Sequence, residues 1–256
     1  MFNGKAFLAE FIGTFALVFV GIAAGVIGGA SNSLGISVLV TALGGGFVLA
    51  VMLYTYGEIS GAHVNPAVTF GMALNGTIKW GQAAFYWIAQ FVGAILAGFA
   101  LSYTLQALGG TIEGGATTGV LTNAGAATTQ TYVMAMVMEA VLTFFLVNTF
   151  LNSSKIGNLG GLAVGATYAF GILAGGAFTG GSFNPARTFG ALIPLAVGAK
   201  DFSALATPFT YVVYLFGPLV GATLAVLAYN YFQGITEEEA AELDEVEAAA
   251  TEEAAS

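Results

Sequence analysis

The chain has no cysteine and a single histidine, His63. Without thiols there is no disulfide, no thiolate nucleophile and no cysteine-held metal, and one histidine does not make a metal site by itself. No Ser/His/Asp grouping and no phosphate-binding glycine loop is apparent, so catalysis has nothing to start from and no enzyme activity, metal or cofactor is expected. Charge is nearly as scarce. Only 7% of the 256 positions are Asp, Glu, Lys or Arg, against about a quarter in a soluble domain. With 57% hydrophobic residues, the expectation is a protein embedded in a bilayer.

The net charge of −9 changes meaning once it is located. Glu237, Glu238, Glu239, Glu242, Asp244, Glu245, Glu247, Glu252 and Glu253 are nine of the fourteen acids. The remaining five, Glu10, Glu58, Glu113, Glu139 and Asp201, match the five bases Lys5, Lys79, Lys155, Arg187 and Lys200. The body is therefore formally neutral, and residues 234–256 read as an acidic, solvated, cytoplasmic tail. No nucleic-acid partner is expected.

Long apolar runs give six candidate spans: about Phe7–Gly29, Ile36–Tyr56, Gln82–Leu105, Tyr132–Leu151, Leu159–Ala177 and Pro208–Phe232. The first is too long for a signal-peptide core and leads into a multi-span pattern, so it is kept as a membrane helix. Trp80, Tyr86 and Trp87 are candidates for an interfacial aromatic belt. Residues 107–130, rich in Gly, Thr and Ala, read as a connector, and Asn152-Ser153-Ser154-Lys155 as a tight turn. Glycine recurs as Gly-x-x-x-Gly inside apolar runs (Gly21/Gly25, Gly161/Gly165, Gly171/Gly175, Gly217/Gly221), a spacing that lets helix backbones approach in lipid.

The chain also repeats itself. His63-Val64-Asn65-Pro66-Ala67-Val68-Thr69-Phe70-Gly71 is echoed by Ser182-Phe183-Asn184-Pro185-Ala186-Arg187-Thr188-Phe189-Gly190. Glu10-x-x-x-Thr14-Phe15 returns as Glu139-x-x-x-Thr143-Phe144, and Gly93-Ala94-x-Leu96-Ala97 as Gly221-Ala222-x-Leu224-Ala225. Duplication at this scale divides the chain into residues 1–106 and 131–233. Three spans per unit is an odd number, so the second copy must sit inverted. In each copy Asn-Pro has the form of a helix start, asparagine as cap and proline at the first helical position. Each predicted helix runs roughly ten residues, half of what a crossing needs. Paired half-helices in an inverted repeat mark a site at the membrane midplane. The expected fold is all-α: six transmembrane helices and two re-entrant half-helices.

Two helix N-termini meeting tip to tip would turn dipole ends and amide donors on one point. Asn65 and Asn184 would hold the oxygen of a passing water and break a proton wire, so protons and cations are refused. Arg187 adds a fixed charge near the outer mouth; a structural ion pair is its plainer alternative. His63 either lines the path or supports the loop. Glu10 and Glu139 are ionisable groups within apolar spans, which calls for partners. They are either proton carriers or acceptors for the loop backbones, and their paired placement favours the second. Lys5, Lys79 and Lys155 against Lys200 place both termini in the cytoplasm by the positive-inside rule.

These motifs, with Glu10 and Glu139, resemble the aquaporin or major intrinsic protein family across about residues 5–232. The resemblance implies a homotetramer in the cell membrane, one pore per subunit, and passive flow of water or small neutral solutes without cofactor. It also implies a four-residue constriction, which falls on Gly45, Ile172, Gly181 and Arg187. Only the arginine is as a strict water channel would have it. Gly45 and Ile172 indicate a wider, less polar filter of an aquaglyceroporin-like or archaeal and bacterial wide-filter type. Thr188 stands where the glycerol-conducting branch has aspartate, so neither subfamily fits. The reading is a channel for water and small uncharged solutes such as glycerol, urea or hydrogen peroxide. One alternative is a strict water channel whose constriction is filled by Phe47 or Phe183; another is a proton-coupled transporter using Glu10 and Glu139.

Overall fold

The computed structural model describes residues 3–107, 109 and 128–233. The predicted acidic tail and nearly all of the predicted connector lie outside that range. Among the described residues the chain is helical, without strands. Helices α1 (Gly4–Gly29), α2 (Leu34–Ser60), α3 (Pro66–Leu74) and α4 (Trp80–Ala107) fall in the first of the two units predicted from the repeat. The second consists of α5 (Thr129–Asn152), α6 (Gly160–Thr179), α7 (Pro185–Ala199), the single turn α8 (Ser203–Ala206) and α9 (Pro208–Gln233). α5 and α6 form one long apolar run that the 3₁₀ segment Ser153–Leu159 divides, with Gly157 at φ 61° making the corner. Among the described residues six helices are thus long and apolar enough to cross a bilayer; α3, α7 and the single turn α8 are not.

α3 has 9 residues and α7 has 15. The second half-helix is longer than the predicted ten because neither Gly190 nor Pro194 ends it; at about 1.5 Å per residue it still falls short of a bilayer's thickness. α3 packs against its neighbour α4 and against α5 of the other unit, and α7 packs against α4 and α1 of the other unit. Buried apolar side chains from both units, among them Leu17, Val64, Val68, Leu146, Ile172 and Phe183, fill the space around them.

Small residues set the spacing between helices. A Cβ on Gly46 would lie 2.7 Å from the carbonyl oxygen of Gly165, and one on Gly165 would lie 2.5 Å from that of Gly46, so α2 and α6 touch backbone to backbone. Gly221 meets the Ala140 carbonyl of α5 in the same way. Gly21 does not: nothing lies within 4 Å of the place its Cβ would take, so that member of the predicted spacing serves no close approach.

α9 carries a π-helical turn at Val212–Phe216, where the Gly217 N–H reaches back to the Val212 carbonyl. Pro218 two residues later has no N–H to give, and a widened turn is a common answer to such a gap. Of the predicted belt residues, Trp80 is half exposed, whereas Tyr86 is buried. Tyr86 belongs to the interior because its hydroxyl donates to the Ser60 carbonyl (2.8 Å). Trp87 is partly buried, its indole N–H on the Pro66 carbonyl (3.1 Å).

Candidate functional site

The site is built where α3 and α7 begin. Asn65 and Asn184 cap their helices, Asn65 Oδ1 accepting from the Ala67 N–H (2.9 Å) and Asn184 Oδ1 from the Arg187 N–H (3.2 Å). Their amide nitrogens reach across the junction. Asn65 Nδ2 donates to the Phe183 carbonyl (2.9 Å) and Asn184 Nδ2 to the Val64 carbonyl (3.0 Å). An NH₂ group has two donors, so each asparagine keeps one N–H that these bonds do not use.

Val64 and Phe183 hold positive φ, 45° and 30°, which costs a non-glycine residue about 1–3 kcal/mol. The reversed backbone aims each carbonyl at the opposite asparagine and each N–H at a glutamate. Glu10 accepts from the N–H groups of His63 (2.9 Å) and Val64 (2.7 Å), the Ser60 hydroxyl (2.7 Å) and Gln90 Nε2 (2.8 Å). Glu139 accepts from the N–H groups of Ser182 (3.0 Å) and Phe183, and from the Thr179 hydroxyl (2.6 Å). Both carboxyl groups are 0% exposed. Four donors on Glu10 and three on Glu139 hold the two loops in this reversed conformation.

Further pairs obey the same symmetry. His63 Nδ1 lies 3.2 Å from the Thr69 hydroxyl, and Ser182 Oγ lies 2.6 Å from that of Thr188. The Tyr86 hydroxyl on the Ser60 carbonyl is matched by that of Tyr214 on the Thr179 carbonyl (2.7 Å). Gln90 has no such counterpart, since Pro218 stands at the equivalent place in the second unit. Its Nε2 joins Glu10 to the Thr69 hydroxyl, and its Oε1 has no partner among the described residues.

The four residues predicted to form a constriction, Gly45, Ile172, Gly181 and Arg187, come together beside this junction. A Cβ on Gly45 would lie 3.2 Å from Ile172 Cδ1, and one on Gly181 the same distance from Ile172 Cα. Arg187 Nη1 donates to the Gly181 carbonyl (3.0 Å), with the Gly180 carbonyl 3.5 Å from both Nη atoms, while Nε has no partner among the described residues. Arg187 is thus held by backbone oxygens, which fix its plane and leave its charge unpaired by any carboxylate among these bonds. Phe47 is 64% exposed and points away from the site, so it fills no constriction. Phe183 is buried, but its ring packs on Tyr168 (4.7 Å between centroids).

The family model described as Major intrinsic protein matches residues 2–229. Aquaporin TIP2-1 of Arabidopsis thaliana is 38% identical over 246 residues, covering 91% of this chain and 89% of the relative. Aquaporin NIP2-3 of Zea mays is 37% identical over 234 residues, covering 90% and 70%. The X-ray structure of the aquaglyceroporin from Plasmodium falciparum aligns with a TM-score of 0.70 at 21% identity, over 88% of this chain and 94% of that one, a likeness of fold. The chain is an integral membrane protein of the major intrinsic protein family, whose members are channels and not enzymes.

Proposed function

We propose that the protein is a passive channel for water and small uncharged solutes such as glycerol, urea and hydrogen peroxide, and that it refuses protons and ions. The observation that carries this is the reciprocal pair of bonds between the asparagine amides and the carbonyls of the opposite loop. It leaves one N–H on each asparagine, at the positive ends of two facing helices. A water there gives its oxygen to both donors and has no lone pair aimed at its neighbours, so a proton cannot be handed through. A cation meets donors only, and Arg187 adds a full charge to the same barrier.

Glu10 and Glu139 act in this reading as fixed acceptors. Their full burial and their occupation by backbone N–H groups support that role over proton carriage. His63, bonded to Thr69 of its own half-helix, belongs to the loop support. Gly45, Ile172, Gly181 and Arg187 form the size and polarity filter, apolar on one side and guanidinium on the other. The relatives at the highest identities quoted above are named aquaporins, which agrees with water as a permeant.

The protein works as a homotetramer in the cell membrane with both termini cytoplasmic; the units are residues 1–106 and 131–233, joined by 107–130, and the acidic tail is cytoplasmic. Stopped-flow swelling of proteoliposomes is the test. Water permeability well above bare lipid, with entry of glycerol or urea and no dissipation of a proton gradient, is the expected result. Water permeability equal to bare lipid would remove the reading.

A further inference from the structure

Three consecutive glycines in α2 face three different neighbours. A Cβ on Gly44 would meet Ala24 of α1 at 2.9 Å, and one on Gly46 would meet the α6 backbone. Those two let helices approach. Gly45 is different, because a Cβ there would lie 2.7 Å from Cε1 and 3.2 Å from Cδ1 of the Tyr168 ring. The space that an aromatic at position 45 would fill already holds an aromatic, supplied by α6.

Tyr168 is one helical turn before Ile172, so the two lie on the same face of α6. The ring is wedged between Gly45 and Phe183, whose carbonyl accepts from Asn65. Tyr168 therefore sits between the Ile172, Gly181 and Arg187 constriction and the asparagine junction. The residue is 1% exposed. Its hydroxyl makes no hydrogen bond among the described residues, and it is not one of the two buried side-chain atoms there that lack a partner, Gln90 Oε1 and Arg187 Nε. The little surface that Tyr168 keeps therefore includes the hydroxyl tip, as it would if that tip touched the water path.

We propose that Tyr168 is a specificity-determining residue of this channel: its ring replaces the wall that Gly45 omits and sets the upper size of solute that passes. The apparent openness of a Gly, Ile, Gly, Arg filter is thereby reduced, and Gly45 is glycine because Tyr168 needs the room. Tyr168 also brings a hydroxyl to a wall that Ile172 leaves apolar. This inference rests on the channel reading above.

The test compares water, urea and glycerol permeability in proteoliposomes of the wild type, Tyr168→Phe, Tyr168→Ala and the double variant Tyr168→Ala/Gly45→Phe. Tyr168→Ala should raise the glycerol-to-water ratio about tenfold, the low end of what one missing side-chain contact changes in a fitted site. Tyr168→Phe keeps the ring and should keep the size limit, altering only the hydroxyl's share. The double variant moves an aromatic to the opposite wall and should bring the ratio back toward the wild type. If Tyr168→Ala does not yield a folded protein, Tyr168→Leu carries the same expectation. An unchanged ratio in the folded variant overturns the assignment while leaving the channel intact. A wild type that passes no more water than bare lipid sinks the channel reading, and this inference with it.

Discussion

Asn65 and Asn184 are 119 positions apart, and each donates its side-chain amide to the carbonyl just before the other, Phe183 at 2.9 Å and Val64 at 3.0 Å. The bonds make the two helix caps one unit, so damage to either should be felt at both. Asn184→Ala loses a cap, about 1 kcal/mol, and strands a buried carbonyl, about 1–3 kcal/mol. The midpoint of thermal unfolding in detergent should fall by several degrees. Asn184→Asp keeps a capping oxygen but exchanges a donor for negative charge at the junction. A proton leak, followed with a pH dye inside vesicles, is the expected outcome, and vesicles as tight as those with wild-type protein would count against the junction as the proton barrier.

Glu10 and Glu139 hold the same junction from behind. Glutamine in place of Glu139 has the right shape, but its NH₂ would be turned on a backbone N–H or the Thr179 hydroxyl that now donates to the carboxylate. Leaving a buried donor of this cluster without an acceptor costs about 1–3 kcal/mol. Glu139→Gln should express poorly and unfold at a markedly lower temperature. Water flux through the wild type should not change when a pH gradient is imposed; a flux that follows the gradient would restore the proton-carrier reading.

The inverted repeat was legible because duplicated letters are visible: Asn65 with Asn184, Thr69 with Thr188, Glu10 with Glu139. The tyrosine pair of the supporting shell is legible too. Tyr86 and Tyr214 each stand seven positions before the glycine of the repeated Gly-Ala-x-Leu-Ala, yet Tyr86 beside Trp87 looked like an interfacial residue. Gln90 and Tyr168 were not legible, because each breaks the symmetry. Gln90 has a proline as its repeat mate, and Tyr168 matters through Gly45, a contact between α2 and α6 that no spacing along the chain encodes. Phe47 misled for a related reason, since only two positions along α2 separate Gly45, which faces the site, from Phe47, which faces outward.

Glycine substitutions should separate two kinds of site. Gly46→Leu would force side-chain atoms into the Gly165 carbonyl, 2.7 Å from the new Cβ, and overpacking costs about 1–3 kcal/mol or more. Gly21 sits inside α1 with nothing within 4 Å of its Cβ position, so Gly21→Ala should be neutral or stabilise by up to about 1 kcal/mol through helix propensity. Unfolding midpoints of the two variants should move in opposite directions or differ by several degrees. Equal losses would show that the open space at Gly21 is filled in the folded membrane protein.

The chain has no cysteine, so mercury has no thiolate to bind and water flux should be insensitive to it. That insensitivity makes the filter addressable. Ile172→Cys keeps a small apolar group beside Gly45 and Gly181, and mercury on that sulfur would occupy the constriction. Mercury-dependent block of Ile172→Cys, reversed by a thiol, is the expected outcome; full flux under mercury would put Ile172 off the path.

Arg187 offers the sharpest contrast between charge and size. Its guanidinium is oriented by the Gly181 and Gly180 carbonyls, so its position is fixed by backbone that Arg187 does not itself build. Arg187→Val removes the charge and about half the side-chain length while leaving the Asn184 cap, which uses only the Arg187 backbone N–H. Stability should therefore change less than with Asn184→Ala, even though two carbonyls lose a donor, because water that enters the widened filter can replace it. Glycerol and urea permeability should rise, and cation rejection should weaken without vanishing, since the facing helix termini and asparagine donors remain. A swelling assay paired with a conductance measurement reads both effects on one preparation. Unchanged permeation of every solute would mean that the arginine stands outside the path, and complete loss of cation rejection would mean that the asparagine junction contributes nothing to the barrier.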